Sequence, residues 1–205
     1  VSAPAAPAAR HHPNPPPFTM NATGLVSPAR FIPSPNCDPR PPGVKIDALI
    51  VHAISLPPGE YGGDCIERLF TNRLDADEHP SFAEIAAMTV SAHFLIRRDG
   101  ELCQFVPAYA RAWHAGESSL GGRARVNDFS LGVELEGCDA GPFEDAQYQT
   151  LARLARFLLA AFRAITPERV VGHCDIAPGR KTDPGPHFDW PRLRREISPP
   201  HAKLT

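Results

Sequence analysis

A chain of 205 residues with 42% hydrophobic residues and a formal net charge of −2 has room for one domain with a sizeable core. Its charge balance lacks the basic field that draws nucleic acid or an anionic membrane, and no apolar run nears the roughly 20 residues needed to cross a bilayer. Nucleic-acid and membrane partners are therefore not expected, and a small-molecule substrate handled by a monomer fits better.

Residues 1–43 carry many of the 24 prolines and open V-S-A-P-A-A-P-A-A-R-H-H-P-N-P-P-P. Without hydrophobic periodicity such a segment reads as a polyproline-like or disordered tail, with 30–43 as an extended lead-in across the domain surface. His11 and His12 read as passive members of that tail. The segment has neither an initiator Met nor an apolar signal core, so no intact signal peptide is expected in it. The catalytic domain is expected over 44–198, with 199–205 as a second tail.

The run Lys45-I-D-A-L-I-V-His52 has strand length and suits a strand covered on both faces. His52 at its end is either a satisfied core histidine or a member of a site at the sheet's edge. Ile54-S-L-P-P-G-E-Y-G-G is a loop by its Pro and Gly content, Cys65 to Leu74 reads as a short helix, and His79-P-S-F opens another helical turn. Val90-S-A-H-F-L-I-R and Leu102-C-Q-F-V flank Asp99-Gly100, a strong hairpin signal. His93, inside that first strand, reads as a buried, hydrogen-bonded histidine before it reads as a ligand. Ala112-W-H-A-G presents a Trp and a His that look exposed and would suit a stacking wall for sugar or peptide, while Trp113 as plain core is an equal alternative.

Phe129-S-L-G-V-E-L-E-G reads as a strand with Glu134 and Glu136 on the face opposite Leu135. A carboxylate turned inward must be used or paired, which makes at least one of them a candidate general base. A solvated edge strand is the alternative. Glu144 to Ala164 is a helix with Tyr148, Leu151, Leu154, Ala155, Leu158, Leu159 and Phe162 at core spacing. Val170-V leads into G-H-C-D-I-A-P-G-R-K-T-D-P-G-P, a loop that gathers His173, Lys181 and Asp183, and a short helix from Asp189 closes the domain.

Five cysteines, Cys37, Cys65, Cys103, Cys138 and Cys174, stand singly with no CxxC pair, which favours a reducing, cytoplasmic compartment. Cys174 lies beside His173, yet nothing adjacent marks it as a low-pKa thiolate. The element order implies an α/β fold with a central mixed sheet flanked by helices. In such a fold His52, Glu134, His173 and Asp183 can converge at strand ends. Two histidines and an aspartate leave a zinc ion one open position for water, Glu134 is placed to take a proton, and Lys181 to stabilise an oxyanion.

The runs I-S-L-P-P-G-E-Y-G-G, V-S-A-H-F-L-I-R-R-D-G, A-W-H-A-G, N-D-F-S-L-G-V-E-L-E-G and G-H-C-D-I-A-P-G-R-K-T-D-P-G-P closely resemble the zinc-dependent N-acetylmuramoyl-L-alanine amidases. The likeness runs from Arg30 to Ile197 and is strongest to the cytosolic 1,6-anhydro branch of peptidoglycan recycling. It implies the fold shared with peptidoglycan recognition proteins, and one zinc held by His52, His173 and Asp183. It also implies Glu134 as catalytic acid/base, Lys181 as oxyanion stabiliser, Glu136 as a structural carboxylate, and Trp113 and Arg125 in the substrate groove. The expected substrate is an anhydro-muropeptide, cut between the lactyl group and L-alanine. A periplasmic wall amidase and a non-catalytic peptidoglycan-binding module are the alternatives. Ala53 and Thr89 depart from the resemblance, standing where many relatives carry Asn and Arg, and both changes remove polar groups that could touch a muropeptide.

Overall fold

The computed structural model describes residues 15–198. Four short strands come first: β1 (Thr19–Met20), β2 (Val26–Ser27), β3 (Arg30–Phe31) and β4 (Cys37–Pro39). The long strand β5 (Ala48–Ile54) and helix α1 (Cys65–Phe70) follow, then β6 (Phe94–Ile96), β7 (Leu102–Gln104) and β8 (Ala110–Ala112). A ribbon of β9 (Ser119–Leu120) and β10 (Arg123–Ala124) precedes the second long strand, β11 (Ser130–Glu136). Helix α2 (Asp145–Ala161), β12 (Val170–Gly172), the single turn α3 (His173–Ile176) and helix α4 (Trp190–Ile197) complete the order.

Six strands form one sheet in the order β12-β5-β11-β6-β7-β3. The first four run parallel, β7 returns antiparallel to β6, and β3 lies parallel to β7. The mixed sheet with flanking helices is the architecture the element order implies. The turn at Asp99-Gly100 closes the β6–β7 hairpin with the Gly100 amide donating to the Arg97 carbonyl, 2.9 Å. Gly100 has φ +88, a conformation that disfavours residues with a Cβ.

Strand alternation splits the core into two faces. Leu49 and Val51 of β5 and Leu131, Val133 and Leu135 of β11 pack with Leu151, Leu154, Ala155 and Leu158 of α2 and with Leu193 and Ile197 of α4. Ala48 and Ile50 point the other way and meet Ala115, Val126, Phe129 and Ile176. Helices cover the first face; the second carries the polar residues Ser130, Glu134 and His52, all buried. Burial on both faces explains why β5 reads as an unbroken apolar run.

Residues 15–43 are part of the domain rather than a tail ahead of it. Phe18, Met20 and Val26 pack against the main core, and β3 forms the sheet's edge. Buried polar groups stitch the rest down: Gln104 accepts from the Val26 amide and donates to the Gly24 carbonyl, and Ser34 donates to the Phe70 carbonyl at 2.5 Å. Two-residue strands fixed by such side chains carry no periodicity, so nothing in the local pattern announces them. His11 and His12, and the terminal segment 199–205, lie outside the described residues.

Three further boundaries differ from expectation. Helix α1 ends at Phe70, before Asn72 at φ 57. Only Phe94–Ile96 of the run from Val90 is a regular strand. The segment after Gly172 begins with the helical turn α3, not an open loop.

Candidate metal centre

Three adjacent parallel strands deliver the site at their carboxyl ends, where open α/β sheets place ligands. His52 leaves β5, Glu134 is its register partner on β11, and His173 follows Gly172, the partner of Val51. Asp183 arrives from the loop after α3. That loop is held by the Cys174 amide of α3 donating to the Asp183 carbonyl at 2.9 Å, and by Arg180 donating to the carbonyls of Ala115 and Glu117, in the segment between β8 and β9, at 2.7 and 2.6 Å.

His52 Nδ1 and His173 Nδ1 are 2.9 Å apart, and Asp183 Oδ2 lies 3.3 Å from the first and 3.2 Å from the second. Ligands at about 2.0–2.1 Å around a tetrahedral zinc are separated by about 3.3–3.4 Å, so the triangle has nearly the required edge. The donor chemistry fits too. His173 Nε2 faces the Ala115 carbonyl at 3.2 Å, which can only accept, so the proton sits on Nε2 and Nδ1 turns a lone pair toward the triangle. Burial pushes the His52 imidazole down to about 4, against the opposing pull of Asp183, so it is neutral at pH 7. Two imidazoles and a carboxylate are the ligand types of a catalytic zinc with one position left open.

Glu134 lines the same cleft, buried, and its Oε2 has no hydrogen-bond partner among the described residues. Burial first, then the negative charge of Asp183, raise this carboxyl well above the usual range, with Lys181 opposing. A buried, unpartnered carboxyl is costly to keep and suits a group that gives and takes protons. Glu136, two residues on, has a different setting: it accepts from the amides of Gly62 and Arg98 and pairs with Arg97. Its negative charge is fully engaged.

The cleft is about 260 Å³ and is lined at its polar end by His52, His173, Asp183, Glu134 and the exposed Lys181. The opposite wall is apolar, built by Leu69 and Phe70 of α1 and by Ile85, Met88 and Val90 from the segment after it. Ile85, Met88 and Val90 are not legible in the sequence because they lie in a turn and the irregular segment after it, with no strand or helix period. Trp113 lines the cleft. Arg125 does not: it is left-handed at φ 62, its side chain is 69% exposed, and it pairs with Asp128. Ala53 lines the cleft, whereas Thr89 is exposed between two residues that do.

Of two further histidines, His114 sits differently from its sequence appearance and His93 sits as its sequence reading has it. His114 is buried behind His52, with 2.9 Å between its Nδ1 and His52 Nε2, and is no part of an exposed stacking wall. His93 accepts from the Gly132 amide at Nδ1 and faces the Ala110 carbonyl with Nε2, so it is a satisfied core histidine. Cys174 has a thiol raised by burial and by the neighbouring Asp175, the opposite of an activated thiolate.

Comparisons with known proteins agree on one family. Residues 42–186 match the family model described as N-acetylmuramoyl-L-alanine amidase. The chain is 56% identical over 183 residues to the 1,6-anhydro-N-acetylmuramyl-L-alanine amidase AmpD of Salmonella typhimurium, covering 89% of this chain and 97% of the relative. A crystal structure of AmpD superimposes with a TM-score of 0.85 at 53% identity, covering 88% of this chain and 99% of the other. The amidase AmiD from E. coli, solved in complex with the substrate anhydro-N-acetylmuramic acid-L-Ala-D-gamma-Glu-L-Lys, matches with a TM-score of 0.55 at 33% identity over 77% of this chain and 60% of that one.

Proposed function

Because the chain belongs to the N-acetylmuramoyl-L-alanine amidase family, we propose that it hydrolyses the amide between the lactyl group of 1,6-anhydro-N-acetylmuramic acid and L-alanine in muropeptides, a reaction of peptidoglycan recycling. The observation that carries this reading is the triangle of His52, His173 and Asp183 beside an unpartnered, buried Glu134 in one cleft. His52, His173 and Asp183 would hold zinc, which supplies Lewis acidity toward water and the substrate carbonyl when bound.

The remaining chemistry belongs to the chain's own side chains. Glu134 takes a proton from the water whose oxygen adds to the lactyl carbonyl. It returns that proton to the alanine nitrogen as the C–N bond breaks, leaving a muramoyl carboxylate and a peptide with a free amino terminus. The ammonium of Lys181, at the mouth of the cleft, faces the charge that develops on the carbonyl oxygen. Trp113 and the apolar wall of Ile85, Met88 and Val90 hold the non-reacting part of the muropeptide.

We place the reaction in the cytoplasm and assign it to a monomer. All five cysteines are free thiols, which suits a reducing compartment, and no helix among the described residues is long and apolar enough to cross a membrane.

A comparison of purified anhydro-muropeptide with intact sacculi as substrates tests the assignment. Peptide release from the soluble muropeptide, with little from sacculi, is expected. Preference for sacculi would make the protein a wall amidase, and binding without release would make it a recognition module.

A further inference from the structure

We propose that the Trp113–Gly116 segment orients both histidine ligands of the metal centre, His52 through the ring of His114 and His173 through the carbonyl of Ala115. The inference rests on the reading of His52, His173 and Asp183 as metal ligands. It assigns His114 and Ser130 as positioning residues.

A backbone carbonyl can only accept a hydrogen bond. The Val126 carbonyl receives the Ser130 hydroxyl at 2.7 Å, which uses the one proton that hydroxyl has. Toward His114, 3.2 Å away, Ser130 Oγ is therefore the acceptor, and His114 Nε2 carries a proton. In the neutral ring Nδ1 is then an acceptor. It lies 2.9 Å from His52 Nε2, which must donate to it. His52 Nδ1 is left without a proton, facing His173 Nδ1 and Asp183. Reversing the chain would leave the Ser130 and Val126 oxygens opposed at 2.7 Å with no proton between them.

The second ligand is set by the next residue. His173 Nε2 donates to the Ala115 carbonyl at 3.2 Å, and Arg180 Nη2 donates to the same oxygen at 2.7 Å. Two successive residues thus turn both Nδ1 lone pairs to one point. Their backbone is clamped in turn, because Asn127 Oδ1 accepts from the amides of His114 and Ala115 at 3.2 and 2.8 Å.

Strand β11 provides the space. Ser130, Gly132 and Glu134 share one face, and a Cβ on Gly132 would lie 2.5 Å from His114 Cγ. Only glycine leaves room for the His114 ring between Ser130 and His52. Partners that hold the far nitrogen of a ligating histidine fix its tautomer and raise its basicity.

Two measurements test this. Long-range 1H–15N NMR of the zinc-loaded wild-type protein is expected to show a proton on Nε2 of His52, His114 and His173; an Nδ1-protonated His114, or a His52 with no proton on Nε2, would overturn the relay without any variant having to fold. Zinc affinity, measured by competition with a chromophoric chelator, is expected to fall about 10- to 100-fold in His114→Leu, with His114→Gln recovering part of the loss through its amide oxygen. Ser130→Ala is expected to mix the His114 tautomers and weaken zinc less. Equal zinc affinity in wild type and a folded His114→Leu would overturn this inference alone, whereas no zinc binding by the wild type would overturn the ligand reading beneath it.

Discussion

His52 and Glu134 are register partners on β5 and β11, so the candidate ligand and the candidate proton carrier leave neighbouring parallel strands from the same face of the sheet. Their spacing is set by backbone hydrogen bonding rather than by flexible loops, which keeps a catalytic constellation within the tolerance it needs.

Replacing the carboxyl while keeping its shape isolates the proton transfer. Glu134→Gln is expected to lower kcat by about 10²- to 10⁴-fold with zinc content unchanged, read by steady-state kinetics alongside elemental analysis. Near-normal turnover would remove Glu134 from its role.

The metal-free form of the same variant bears on stability. The Glu134 carboxyl is held above its ordinary value, chiefly by burial, so the folded state binds more protons than the unfolded state above the unfolded carboxyl value. Wild-type stability should therefore fall as pH rises from about 4.5 toward neutrality, and Glu134→Gln should lack that component. Parallel denaturation curves at acid and neutral pH check the difference.

His93 has the opposite sign. Burial, then the charge of Arg40, hold this imidazole well below its ordinary value, so the unfolded state takes up the proton first. Its contribution is present above about pH 6.5 and is lost on acidification, at up to about 1.4 kcal/mol per pH unit. NMR should show the His93 ring not titrating between about pH 7.5 and 5.5; a midpoint near 6.5 would contradict its setting.

Gly132→Ala tests the packing behind His52. A Cβ 2.5 Å from the His114 ring must displace it, at a cost of about 1–3 kcal/mol in unfolding free energy, with weaker zinc binding in step. Unchanged stability and affinity would show that the ring has room to move.

The two expected groove residues should separate. Trp113→Ala removes an aromatic from the cleft wall and is expected to raise KM by up to about tenfold with a smaller effect on kcat. Arg125→Ala should stay near wild type, because its side chain is mostly exposed and does not line the cleft.

Much of this was legible because the informative residues sit on regular elements. β5 and β11 announce themselves by unbroken or alternating apolar runs, and α2 by its stripe, so the mixed sheet and the positions of His52 and Glu134 follow from pattern. The loop from His173 to Asp183 announces itself by chemistry. Residues 15–43 were not legible, because two-residue strands held by Gln104, Ser34 and Asn36 have no period. The role of His114 was hidden for another reason: A-W-H-A-G says nothing about which side chain faces inward. The alternation of Ser130, Gly132 and Glu134 was the available clue, since a small residue between two polar ones on a buried face marks a place where another side chain enters.

The metal requirement tests the reaction most directly. Protein stripped with a chelator and verified metal-free, and the same protein reloaded with one equivalent of zinc, are each given purified anhydro-muropeptide, and the products are read by mass spectrometry. Cleavage at the lactyl–alanine bond alone, present with zinc and absent without it, is predicted; full cleavage by the metal-free protein, or cleavage at another bond, would contradict the assignment of His52, His173 and Asp183 as the centre of an amidase.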